Sequence, residues 1–261
     1  MDERFKEIEV ESSIDGVIEK NLLYLPENSE NTPMVIGLHT WSHDRFNQMG
    51  IIKYCETRGW ALLLPEFRGS NTENNPRAPK ACGSLLARQD IIDAVEHVCG
   101  NYSIDKSKLF VLGGSGGGHM SLMMAAFRPT LWRGVSSWCP ITDVALWHRY
   151  YGRGIRYAAN MEACCGGAPG DSDDIDREYA LRSPMSYTSA ISQAAVSVHH
   201  GRYDRSVPYV HTLNLAAAVE RLHPENFFCE IFDGAHEMRA ERAFEWFEQL
   251  LSSDDKKELT G

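Results

Sequence analysis

The chain has 261 residues, of which 43% are hydrophobic and 24% charged, ordinary globular usage that suits one domain with a full core and excludes a low-complexity chain. Its formal charge of -10 argues against a nucleic-acid partner, because holding a phosphate backbone takes clustered Lys and Arg. No segment approaches the roughly 20 apolar residues of a membrane span, and no apolar run follows a basic start, so the sequence reads as cytoplasmic and without membrane association.

Residues 5–12 and 17–25 alternate polar and apolar around Asp15-Gly16, which predicts an antiparallel hairpin at the start of the chain. From residue 34 onward short apolar runs alternate with helical patterns. Strands are expected at 34–38, 61–64, 109–112, 134–138, 195–199 and 227–232, and helices near 46–58, 84–98, 117–127, 209–222 and 238–251. That alternation builds a mostly parallel sheet of eight strands, counting the hairpin, with helices on both faces. The stretch 143–182 breaks the rhythm. It is rich in Tyr, Arg and Gly, and reads as a partly helical, lid-like insertion over one end of the sheet. The polar tail, 252–261, is expected to fray. Seven Cys without regular spacing imply no disulfide framework, although adjacent Cys164 and Cys165 form a redox-sensitive pair by sequence. His199, His200, Cys164 and Cys165 lack the spacings that organise zinc, so no metal or other cofactor is expected.

The run Gly113-Gly114-Ser115-Gly116-Gly117 fits G-x-S-x-G between an apolar strand and a helix of small residues. In that setting the Ser sits on a strained turn, which flanking Gly residues permit, and faces the N-terminus of the helix that follows. A Gly-rich phosphate loop is the competing reading, but the G-x-G-x-x-G spacing is met poorly. If Ser115 is a nucleophile, it needs an imidazole to take its proton. His236, between the last strand and the last helix, is the candidate, with His39 as rival. A carboxylate on an earlier strand-end loop completes the order Ser, Asp, His; Asp204 fits, ahead of Asp143 and Asp233. Asp204 could instead cap a helix beginning near Pro208. The backbone N–H groups of Gly116 and Trp41 are the candidate oxyanion donors. Trp41, Trp147, Tyr151 and Arg153 are the candidate substrate contacts, alongside His148, Tyr150 and Arg156; the same side chains could equally pack a lid or a homodimer contact.

Five segments, Arg68-Gly69-Ser70, Gln89 to Ala94, Gly113 to Gly117, His200-Gly201 with Asp204 and Val207-Pro208, and Gly234-Ala235-His236, together resemble the catalytic domain of the prolyl oligopeptidase family and its single-domain esterase relatives. The resemblance implies an α/β-hydrolase fold, a triad of Ser115, Asp204 and His236, and an oxyanion role for Trp41. Two departures stand out: Gly116 occupies a position that is usually bulky in the family, and His39-Thr40-Trp41 replaces an H-G-G segment. The chain also leaves no room for the propeller of family peptidases. A small-ester hydrolase is therefore expected, with short peptides as the alternative substrate and a non-catalytic binding module as the alternative class.

Overall fold

In the computed structural model, which describes residues 2–27 and 29–258, with backbone alone from 253, eight strands are present: β1 (Lys6–Glu11), β2 (Ile18–Tyr24), β3 (Thr32–Leu38), β4 (Ala61–Pro65), β5 (Ile104–Gly114), β6 (Gly134–Trp138), β7 (Val196–Gly201) and β8 (Phe227–Phe232). They form one sheet in the order β1-β2-β4-β3-β5-β6-β7-β8. β2 runs antiparallel to both β1 and β4, and every later pairing is parallel. This is the expected α/β-hydrolase architecture.

Side-chain alternation along the central strand assigns the helices to faces. Leu109 and Val111 of β5 join a core with α2 (Leu85–Asn101), α3 (Gly116–Phe127) and α8 (Val210–Glu220). Phe110 and Leu112 point the other way, toward α1 (Ile52–Glu56) and α9 (Ala240–Glu258). Such a doubly covered strand reads as a continuous apolar run.

Two expected helices differ at their ends. In place of a helix over 46–58 there is a single 3-10 turn, Met49–Ile51, followed by the short α1. The preceding segment is held in turns by tertiary bonds: Asn47 Oδ1 accepts from Thr40 N at 3.0 Å, and Arg45 reaches Glu66 and Glu7. At the C-terminus α9 continues through Glu258 where fraying was expected from 252; residues 259–261 lie outside the described residues. The insertion is more helical than its composition suggests, with α4 (Val144–Tyr151), α5 (Tyr157–Cys165) and α6 (Asp173–Leu181) packing on a third apolar cluster that includes Trp41, Ile141, Trp147 and Tyr179. A short α7 (Thr188–Ile191) leads back to β7.

The hairpin is fixed to the sheet by a buried ion cluster. Arg68, fully buried, donates to Asp90 and Asp15, each at 2.9 Å, and to Ser12 Oγ. Glu19, also buried, takes Arg77 and the Arg68 backbone N–H; burial nonetheless pushes its carboxyl above the usual range. Arg68→Met should therefore destabilise the fold by about 3–5 kcal/mol, because it strands buried carboxylates without their cation. Urea unfolding followed by tryptophan fluorescence measures this, and a midpoint within error of wild type would contradict it.

Candidate active site

β5 ends at Gly114 and α3 begins at Gly116, so Ser115 alone makes the turn. Its backbone stands at φ 57°, ψ -120°, a region that costs a non-glycine residue of the order of 1–3 kcal/mol and persists only where the surroundings enforce it. They do so here through close backbone contacts. Ser115 N donates to Trp138 O at 2.8 Å and Ser115 O accepts from His119 N at 2.9 Å. A Cβ at Gly117 would lie 2.2 Å from Leu38 O. The elbow thus exists because glycines let α3 approach the ends of β3 and β5.

The other two expected side chains arrive on loops after β7 and β8. These loops touch at Gly201, where an added Cβ would lie 1.9 Å from Ala235 O. Arg202 N and Tyr203 N donate to Phe232 O and Gly234 O, each at 2.9 Å. The result is direct contact between the expected partners: His236 Nδ1 lies 2.6 Å from Asp204 Oδ2. Asp204 Oδ1 accepts from Ser206 N at 2.8 Å and Val207 N at 2.9 Å. Burial opposes ionisation of Asp204, but donors from His200, His236 and Val207 outweigh it and hold the carboxyl well below the usual range. With Nδ1–H given to a carboxylate, Nε2 of His236 is left as an acceptor.

His200, named from sequence only within a family segment and as a zinc ligand without the right spacing, is a second imidazole on the same carboxylate. Its Nε2 lies 3.2 Å from Asp204 Oδ2 and 2.9 Å from Val207 O, and its Nδ1 lies 2.8 Å from Thr212 Oγ1. A carbonyl can only accept, so Nε2 carries the proton and Nδ1 accepts from the hydroxyl. The rivals are occupied elsewhere. His39 is buried with its two ring nitrogens against Thr40 O and Glu66 O and its ring stacked on Phe67, and burial lowers its pKa. Asp143 caps α4 through Leu146 N at 2.8 Å.

Ser115 and His236 open together on a cleft of about 250 Å³, whose wall includes Trp41, Trp138, Cys139 and Tyr157. Of the expected substrate contacts only Trp41 lines it. Trp147 is buried beneath Trp41, with ring centroids 4.8 Å apart, and donates Nε1–H to Ser206 O; Tyr151 OH bonds the same carbonyl. Arg153 forms a bidentate pair with Asp171. Tyr157, stacked on Trp147, stands at the cleft instead. One tyrosine among the several in the insertion carries no sequence signal for that position. Cys164 and Cys165 are buried thiols in the insertion core.

Gly116 explains its own departure from the family pattern. A Cβ there would lie 2.4 Å from Trp41 N and 2.6 Å from Trp41 Cα. The 39–42 loop occupies the space that a side chain would need. As the first residue of α3, Gly116 has an N–H with no intrahelical acceptor, and the Trp41 N–H lies beside it.

A profile of the prolyl oligopeptidase family matches residues 47–252. The chain belongs to that family. Acetylxylan esterase A of Emericella nidulans is 21% identical over 212 residues, 79% of this chain and 63% of that protein. Dipeptidyl peptidase family member 6 of Caenorhabditis elegans is 24% identical over 209 residues, 78% of this chain and 28% of the peptidase. The chain therefore spans less than two thirds of either relative. Among solved structures, a puromycin-hydrolyzing peptidase of Mycobacterium tuberculosis superposes with a TM-score of 0.74 over 94% of this chain and 38% of its own, at 18% identity, a likeness of fold. Prolyl oligopeptidase family members are serine hydrolases, and among the described residues no helix is long and apolar enough to cross a membrane.

Proposed function

We propose that this prolyl oligopeptidase family member hydrolyses small carboxylic esters through an acyl-enzyme, with Ser115 as nucleophile, His236 as base and Asp204 as the group that orients it. The contact of 2.6 Å between His236 Nδ1 and Asp204 Oδ2, at a cleft shared by His236 and Ser115, carries the reading. Ser115 Oγ adds to the ester carbonyl while His236 Nε2 takes its proton; the tetrahedral oxyanion is met by the N–H groups of Gly116 and Trp41; His236 then protonates the departing alcohol. Water, deprotonated by the same imidazole, releases the acid and regenerates Ser115.

An esterase among the relatives supports the ester reading. A peptide or amide substrate is the second reading, supported by the peptidase relatives. An alkyl fluorophosphonate should label the protein at one residue, Ser115 by peptide mass spectrometry, and p-nitrophenyl acetate should be turned over faster than an aminoacyl p-nitroanilide. Labelling at another residue would overturn the triad. A faster anilide would favour the peptidase, and a folded protein without labelling or turnover would favour a binding module.

A further inference from the structure

Behind the Asp204–His236 pair the polar chemistry continues into the core. Cys139 follows β6 in a left-handed backbone conformation (φ 47°), which turns its side chain under the His236 loop. Its Sγ lies 3.5 Å from Glu237 O and 3.8 Å from Ala235 O, the carbonyls on either side of His236. The thiol also borders the cleft. Cys139 Sγ, a His200 ring nitrogen and an Asp204 carboxylate oxygen all lie within 4.8 Å of one another, and all three residues are buried.

We propose that Cys139, His200 and Asp204 form a thiophilic cation site for zinc or cadmium, whose occupation switches the enzyme off by neutralising the carboxylate that orients His236. The proposal rests on the triad reading above. Zinc binds S, N and O ligands at about 2.0–2.3 Å in a tetrahedron, which sets ligand separations near 3.5 Å; the His200–Asp204 separation of 3.2 Å already meets this. The sulfur, within 4.8 Å of both other ligand atoms, closes by a side-chain movement, and Cys139 also lines the cleft through which a cation can arrive.

The proton balance is simple. The cation displaces the Cys139 thiol proton to solvent. The His200 proton moves from Nε2 to Nδ1 by exchange with solvent, and the Thr212 hydroxyl turns from donating to accepting. The cation takes the lone pair of Asp204 Oδ2 that His200 held, and its charge draws density from the carboxylate, which weakens the bond that orients His236 and its support for an imidazolium. Cys139 is a buried thiol, and only a cation with real affinity for sulfur displaces a thiol proton. Magnesium and calcium, which prefer oxygen ligands, should have no effect.

The test titrates Zn2+ and Cd2+ against p-nitrophenyl acetate turnover and fluorophosphonate labelling in chelator-treated wild type, Cys139→Ala and Cys139→Ser, each normalised to its own metal-free rate. Micromolar inhibition of wild type, reversed by chelator, is expected, with at least a tenfold weaker effect in both variants and none from Mg2+. Cd2+ should add an ultraviolet thiolate-to-metal charge-transfer band that is absent in Cys139→Ala; that spectrum reads the site even if acetate is not a substrate, so failure of the esterase reading and failure of the metal site are separable. Equal inhibition of wild type and variants, or no inhibition of wild type at millimolar Zn2+, overturns the proposal, as does a Cd2+ band that persists without Cys139.

Discussion

Asp204→Asn is expected to lower kcat on a p-nitrophenyl ester by about four orders of magnitude while leaving KM within a few-fold. The reason is a conflict of donors. Ser206 N and Val207 N both donate to one oxygen of Asp204, and an Asn carbonyl would take that place. The Asn NH2 then faces His236 Nδ1–H and His200 Nε2–H, which now donate to the other carboxylate oxygen. To escape, His236 must move its proton to Nε2, and an imidazole protonated there cannot accept from Ser115. Substrate binding involves neither atom, so the loss should fall on kcat.

The pH behaviour separates this account from simple destabilisation. The carboxyl of Asp204 is held below the ordinary carboxylate range, so its folded pKa lies below its unfolded one. Its contribution to stability is fully present above the unfolded value and lost only as pH falls through the lowered folded value. Between about pH 5 and 9 Asp204 stays ionised, and the ratio of wild-type to Asp204→Asn rates should stay far above one across that range. A ratio that collapses toward one at the acid end would mean that the carboxylate titrates during turnover and that its environment is less donor-rich than described.

The sheet, and the placing of Ser115, Asp204 and His236 on turns at strand ends, were legible in the sequence because each depends on local patterning. Phe110 to Leu112 is apolar on both faces, the glycines of Gly113 to Gly117 permit a tight turn at Ser115, and Asp204 and His236 each follow a strand. What was not legible depends on contacts between distant segments. The helix expected from residue 46 is cut short by Asn47 and Arg45 bonding across to Thr40, Glu66 and Glu7. The expected pocket residues Trp147 and Tyr151 both bond Ser206 O, a tertiary partner 59 and 55 residues away, and so belong to the floor that supports Trp41. Cys139 meets Asp204 and His200 because β6 and β7 are adjacent and stands in no motif, whereas His200 lies four residues before Asp204 and was marked only as part of a family segment.

Gly116→Ala is expected to reduce kcat by about two to three orders of magnitude, the cost of losing one oxyanion donor, although one methyl group is all that is added. The methyl carbon would meet Trp41 N at 2.4 Å and Trp41 Cα at 2.6 Å, and both are backbone atoms that no rotamer change can remove. Either the elbow or the 39–42 loop must retreat. The elbow is held by Ser115 N to Trp138 O and by Gly117 against Leu38 O; the loop is held by Thr40 N to Asn47 Oδ1, by Asn71 N to Trp41 O at 2.8 Å and by the buried Trp41 ring. With both sides braced, the strain separates the two N–H groups that are to meet the same oxygen. Fluorophosphonate labelling, which passes through a similar anion, should slow in parallel with kcat, whereas Gly100→Ala, where a Cβ meets nothing within 4 Å, serves as the neutral control. The usual bulky residue of the family at position 116 would be worse than alanine, and only a relocated 39–42 loop could accommodate it. If Gly116→Ala retained kcat within threefold, the oxyanion would have to be held elsewhere in the cleft, and Trp41 would be a packing residue alone.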